Sequence, residues 1–123
     1  MRPLRAREEA SIRHFEEQRE ALLADTNPNG LLQIIHRILK TETRNLYFVD
    51  HIPEQCEDLY SVLVDGERVL SFEIPRHDVN PQPLMIKVRS IAEYLHGTRG
   101  RKRRDTEIAM LLARRLASEQ HMG

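Results

Sequence analysis

The spacing of apolar residues divides the first forty or so positions into two segments of helical character. Residues 3–25 are rich in Arg, Glu, Ala, Gln and Leu, which favour helix, but their apolar stripe is thin. After a turn at Thr26–Gly30, the apolar residues of Leu31–Lys40 occupy more than half of a helix circumference, which is typical of a core helix. The pattern therefore predicts a long surface or dimerisation helix within 1–25, followed by a shorter buried helix.

Three short segments rich in aromatic, β-branched and leucine residues come next. They predict strands at Leu46–Val49, Leu59–Val64 and Glu67–Ile74. Asp65-Gly66, between the last two, is a strong hairpin signal, although a two-residue turn and a three-residue bulged turn both fit it. Because short loops join these strands, the sequence predicts a three-stranded antiparallel meander.

The C-terminal part of the chain returns to helical spacing. The apolar residues of Leu84–His96 fall on one face of a helix, which predicts a third helix there. A basic loop is expected at Thr98–Arg104, with Asp105 or Thr106 capping a fourth helix that ends near Ser118. The predicted order is therefore α-α-β-β-β-α-α.

This order predicts an α+β fold in one domain over 1–123, because the helices are segregated at both ends of the chain. We expect the second, third and fourth helices to cover one face of the sheet, the first helix to lie outside the core, and 119–123 to form a flexible tail. The apolar runs are too short to span a membrane, and the charged start lacks the apolar region of a secretory signal. Cys56 is the only cysteine, so no internal disulfide is possible. We therefore expect a cytoplasmic protein that does not associate with membranes.

Charge is balanced over the whole chain but not along it. The sequence has 19 Lys and Arg against 19 Asp and Glu. Residues 44–75 contain two basic and seven acidic residues, a net charge of −5, whereas residues 76–123 contain ten basic and five acidic residues, a net charge of +5. Two such segments either pair with each other or leave a basic face for an acidic partner.

The densest basic feature is the run Arg99–Arg104, in which five of six residues are basic. Cations next to a helix start repel one another and the positive end of the helix dipole, so solvent, an acidic surface or a phosphate-rich ligand must relieve them. Lys87 and Arg89 of the third helix, and Arg114 and Arg115 of the fourth, could extend the patch. The predicted binding residues are Lys87, Arg89, Arg99, Arg101, Lys102, Arg103 and Arg104.

These features predict a small non-enzymatic binding or regulatory module. Its basic loop, 99–104, is expected to contact nucleic acid or an acidic protein surface. The thin-striped first helix and the open sheet edges further predict a homodimer. The alternative is a protein-interaction or self-association module in which the basic loop pairs with the acidic segment 50–73.

One enzyme alternative is a metal-dependent phosphodiesterase. Asp65, Glu67 and Glu73 lie on or beside the predicted hairpin, where carboxylates of such enzymes hold Mg²⁺. Pro75 occupies the position at which a lysine would be needed, and Lys87 could replace it only through tertiary contacts. The acidic loop His51–Asp58 also lacks the spacing of zinc ligands. The sequence therefore predicts no catalytic residue, no metal and no cofactor.

Overall fold

A computed structural model describes residues 6–122, with side chains through residue 119. Residues 3–5 of the first predicted helix lie outside this range. The helices are α1 Ala6–Ala24, α2 Leu31–Leu39, α3 Ile91–Leu95 and α4 Gly100–Met122, and the strands are β1 Leu46–Pro53, β2 Glu57–Val64, β3 Arg68–Pro75 and β4 Leu84–Ser90. The α+β class is confirmed, but the meander has a fourth strand.

The sheet is an antiparallel meander in the order β1-β2-β3-β4. Its central hairpin turns at Asp65-Gly66 as predicted, and it uses the longer turn, since Val64 pairs with Arg68. Gly66 has a φ of 71°, and a Cβ built there would lie 3.1 Å from the Cβ of Ala113 on α4. Glycine therefore serves both the left-handed turn and its close approach to α4.

The predicted third helix is wrong over its first seven residues, which form β4. The segment Ile86–Arg89 alternates apolar and basic residues, and β4 supplies the hydrogen-bonding partner of β3. The helix begins only after Ser90, whose Oγ accepts a hydrogen bond from the Glu93 amide at 3.1 Å. The Glu93 side chain in turn accepts from the Ser90 amide, so the pair forms a capping box. This local signal marks the true start of α3.

The predicted boundaries of the last helix are also wrong. α4 begins at Gly100, so all of the basic run except Arg99 lies in the start of the helix rather than in a loop, which agrees with the high helix propensity of Arg and Lys. Thr106, one of the two predicted caps, is fully buried inside the helix, and its Oγ1 donates to the Lys102 carbonyl oxygen at 2.8 Å. The helix passes Ser118 and continues through Met122 into the segment expected to be a tail.

Helices pack against both faces of the sheet rather than the one expected. On the first face, α1 and α4 pack on β1, β2 and β3 through a core of Phe15, Tyr47, Leu63, Val69, Ile108 and Leu112. On the second face, α2 and the end of α1 pack through Leu22, Leu32, Ile35, Val62, Leu70 and Phe72. Among the described residues, neither core includes a side chain of β4. The fourth strand therefore extends the sheet beyond the area that the helices cover.

Candidate functional site

Lys102, in the middle of the predicted basic site, is held by the acidic segment of the same chain. Its Nζ lies 2.8 Å from Asp50 Oδ2 and 5.8 Å from the centre of the Tyr94 ring. A bulge in β1 places Asp50 opposite Ser61, which brings its carboxylate to the face that α4 covers. The hydrogen bond to Asp50 raises the pKa of Lys102. Lys102 therefore attaches the start of α4 to the sheet.

The two arginines that follow Lys102 also have partners within the chain. Arg103 Nη1 donates to the Leu95 carbonyl oxygen at 3.0 Å, at the end of α3, and its Nε lies 3.9 Å from Glu107. Arg104 Nη2 lies 2.8 Å from Oε1 of Glu8, a buried residue of α1. These contacts neutralise part of the charge that the sequence places in the run, and they join α4 to α3 and α1.

The other four predicted site residues form no ion pair with any residue that the structure describes. Arg99 and Arg101 are exposed at the start of α4, and Arg101 lines a groove of about 350 Å³ between α1 and α4. Lys87 is exposed and Arg89 half-buried on β4. The Arg89 Nε is buried and lacks an acceptor among the described residues. The unpaired cations are therefore divided between two elements rather than gathered in one loop.

From Ile86 to Arg89 of β4, the basic and apolar side chains lie on opposite faces of the sheet. Lys87 pairs with Ser71 and Arg89 with Val69, on the face that α1 and α4 cover. Val88 pairs with Leu70, which belongs to the core on the α2 side. Since successive residues of a strand point to opposite faces, the side chains flanking each cation lie on the α2 side.

Beyond β4, the described part of the chain provides no further strand, so β4 is an edge of the sheet. Its apolar side chains Leu84, Met85, Ile86 and Val88 are between 48 % and 77 % exposed. Isolated exposed apolar residues are common, but several consecutive ones on a free sheet edge mark an interaction surface or an aggregation hazard. We call this surface, residues 84–90, the β4 edge.

The sequence interpretation missed the apolar half of this surface. Leu84 and Val88 belong to the apolar stripe predicted for the third helix, because their spacing also fits a helical period. The alternation from Ile86 to Arg89 was the available signal for a strand, together with the Ser90 cap that follows it.

The acidic segment considered for metal binding, His51–Asp58, connects β1 to β2, and its charged side chains form contacts within the sheet. Asp58 Oδ1 accepts from Arg76 at 2.9 Å and lies 3.1 Å from His51 Nε2, and the His51 ring stacks on Tyr60 at 4.6 Å. The hydrogen bonds from Arg76 and His51 lower the pKa of Asp58. Within the described residues, no three His, Cys, Asp or Glu side chains gather in a way that could hold a metal ion.

Two of the acids considered for a phosphodiesterase lie at different places on the hairpin. Asp65 accepts a hydrogen bond from Thr43 at the hairpin turn, whereas Glu73 lies on β3 opposite Leu84.

No protein-family model, curated protein or solved structure matches the chain. None of the described helices combines the length and apolar character that a membrane crossing requires.

Proposed function

We propose that this protein is a non-enzymatic interaction module that binds an acidic protein segment at the β4 edge. One observation carries the proposal: on a free sheet edge, exposed apolar side chains stand beside two cations, Lys87 and Arg89, that have no ion-pair partner among the described residues. Apolar contact would supply affinity, and the cations would select and steer an acidic partner.

The pairing within the basic run favours this surface over a polyanion site at the start of α4. Binding to nucleic acid depends on several cations that are free to contact phosphates along one face. Lys102, Arg103 and Arg104 are instead bound to a carboxylate or a carbonyl of the same chain. Nucleic-acid binding by the remaining arginines, Arg99 and Arg101, stays a prediction.

Site-specific photo-crosslinking in cells that express the protein tests the proposal. A photoreactive residue replaces Met85, which is 77 % exposed on the β4 edge, and a control variant carries it at the exposed Arg114 of α4. We expect protein adducts that form at position 85, are absent at position 114 and survive nuclease treatment. Adducts that disappear with nuclease, that contain only a second copy of this chain, or that form equally at both positions would overturn the proposal.

A charge exchange gives the matching biochemical control. Lys87→Glu and Arg114→Glu change the net charge of the protein by the same amount, but only Lys87 lies on the β4 edge. The first variant should lose the position-85 adducts and the second should retain them. Equal loss in both variants would show that only the overall charge matters and would contradict a specific surface.

A further inference from the structure

The region of β4 that is able to pair with another strand has a definite length. Between Ser71 and Glu73 the register slips, because three steps along β4, from Lys87 to Leu84, oppose two steps along β3. Met85 lies at this bulge with a φ of 52°, a left-handed conformation that bends a strand. The pairing is regular from Lys87 to Ser90, and together with Ile86, which adjoins the bulge, this part of the edge spans about 17 Å at the usual rise of a strand.

Within this regular part, the two faces of the strand differ in chemistry. Lys87 and Arg89 lie on the face of α1 and α4, and Val88 lies on the face of α2, with Ile86 two residues away from it. A strand added to this edge would place alternate side chains beside the cations and beside the apolar pair. Its main chain would meet the outward-facing amide and carbonyl groups of β4.

We infer that the β4 edge binds its partner by strand addition, and that the partner is an extended segment in which acidic and apolar side chains alternate. This inference rests on the proposed function and specifies the partner of that same site. The acidic side chains lie opposite Lys87 and Arg89, and the apolar side chains lie beside Ile86 and Val88. The partner therefore needs acids spaced two residues apart, with an apolar residue between them.

Charge argues against a second copy of β4 as the occupant. A two-fold antiparallel pairing in one continuous sheet keeps equivalent faces on the same side. The Lys87 and Arg89 side chains of both copies would then share one face, and like charges on neighbouring strands destabilise the pairing. Cations and a bulge on an edge strand are also the features by which proteins prevent edges from pairing with each other. Acidic side chains on an added strand would instead attract Lys87 and Arg89.

Binding of synthetic peptides to the full chain tests the inference. The probe is a short, capped, fluorescent peptide in which valine and glutamate alternate. One control peptide has the same composition with the valines and glutamates in separate blocks, and a second carries N-methyl groups on every internal amide of the original sequence, so that neither of its edges can donate to β4. Fluorescence anisotropy measures the three affinities for the unaltered protein, for Lys87→Glu and for Arg114→Glu.

We expect the alternating peptide to bind the unaltered protein and Arg114→Glu equally, and to bind Lys87→Glu on the order of tenfold more weakly. Both control peptides should bind much more weakly than the alternating one. If the block and alternating peptides bind with equal affinity, the inferred alternation of acidic and apolar side chains is wrong. If N-methylation does not weaken the affinity of the peptide, binding by strand addition is wrong. If the peptides fail while the position-85 protein adducts persist, the inference is wrong and the proposed function stands. If the adducts are also absent, both are wrong.

Discussion

Replacing Lys102 should destabilise the fold, whereas replacing the neighbouring Arg101 should not. Lys102→Ala removes the 2.8 Å ion pair with Asp50 and the contact with the Tyr94 ring. The side chains of Lys102 and Asp50 are 48 % and 25 % exposed, so solvent screens part of their attraction. A partly exposed ion pair contributes up to about 1 kcal/mol, and a cation above an aromatic ring about 0.5 kcal/mol.

The matched control is Arg101→Ala. Arg101 precedes Lys102 in the first turn of α4, is exposed, and has no ion pair among the described residues. Both substitutions relieve the same repulsion between a cation and the positive end of the helix dipole. The difference between them therefore isolates the contacts of Lys102. We expect Lys102→Ala to be less stable than Arg101→Ala by about 1 kcal/mol, or about 2–5 °C in Tm.

Urea denaturation at low salt, followed by circular dichroism, measures this difference, and a double-mutant cycle with Asp50→Ala isolates the ion pair. The coupling free energy should be about 0.5–1 kcal/mol and should decrease at high salt. Equal stability of Lys102→Ala and Arg101→Ala, or a coupling free energy of zero, would refute the argument that the start of α4 is held by the acidic segment.

Substitutions at three further positions test the local structure. Gly66→Ala should destabilise the protein by about 1–2 kcal/mol in thermal melts, because the turn needs a positive φ and the added methyl group meets α4 at 3.1 Å; unchanged stability would contradict this turn geometry. Ser90→Ala should cost about 1 kcal/mol by removing the α3 cap, whereas Ser90→Thr should retain most of it; equal losses would count against the capping box. The stability advantage of the native protein over Asp58→Asn should be present at neutral pH. It should decline as the pH falls through the lowered pKa of Asp58, and an advantage that grows in acid would reverse the expected sign.

The elements that could be predicted from the sequence are those whose signals lie within a few neighbouring residues. The hairpin at Asp65-Gly66 could be placed because turn residues and strand-forming residues act over a few positions. The sequence of β4 predicts a helix because Leu84 and Val88 are about one helical turn apart. In the structure the same two residues lie on a strand that bulges at Met85. The segment forms a strand because it pairs with β3, and tertiary pairing of this kind decides between helix and strand where the sequence pattern fits both.

The candidate site was only partly predictable for a similar reason. The sequence identified the unpaired cations of β4, Lys87 and Arg89, but assigned them to a helix and joined them to the basic run. Composition alone could not separate cations that are free from those that are bound. Lys102 and Arg104 are bound by acids of β1 and α1, far away in the sequence, and only the fold brings these groups together. The exposed apolar side chains became visible once β4 was identified as an edge.

Amide hydrogen exchange along β4 tests most directly whether its free edge binds an extended acidic segment. In the unbound protein, outward-facing amides within Ile86–Ser90 should exchange rapidly, because no strand pairs with that side among the described residues. Saturation with the alternating valine and glutamate peptide should slow these amides and leave those of the central hairpin unchanged. Unchanged exchange along β4 at saturating peptide, or protection confined to the start of α4, would contradict the account.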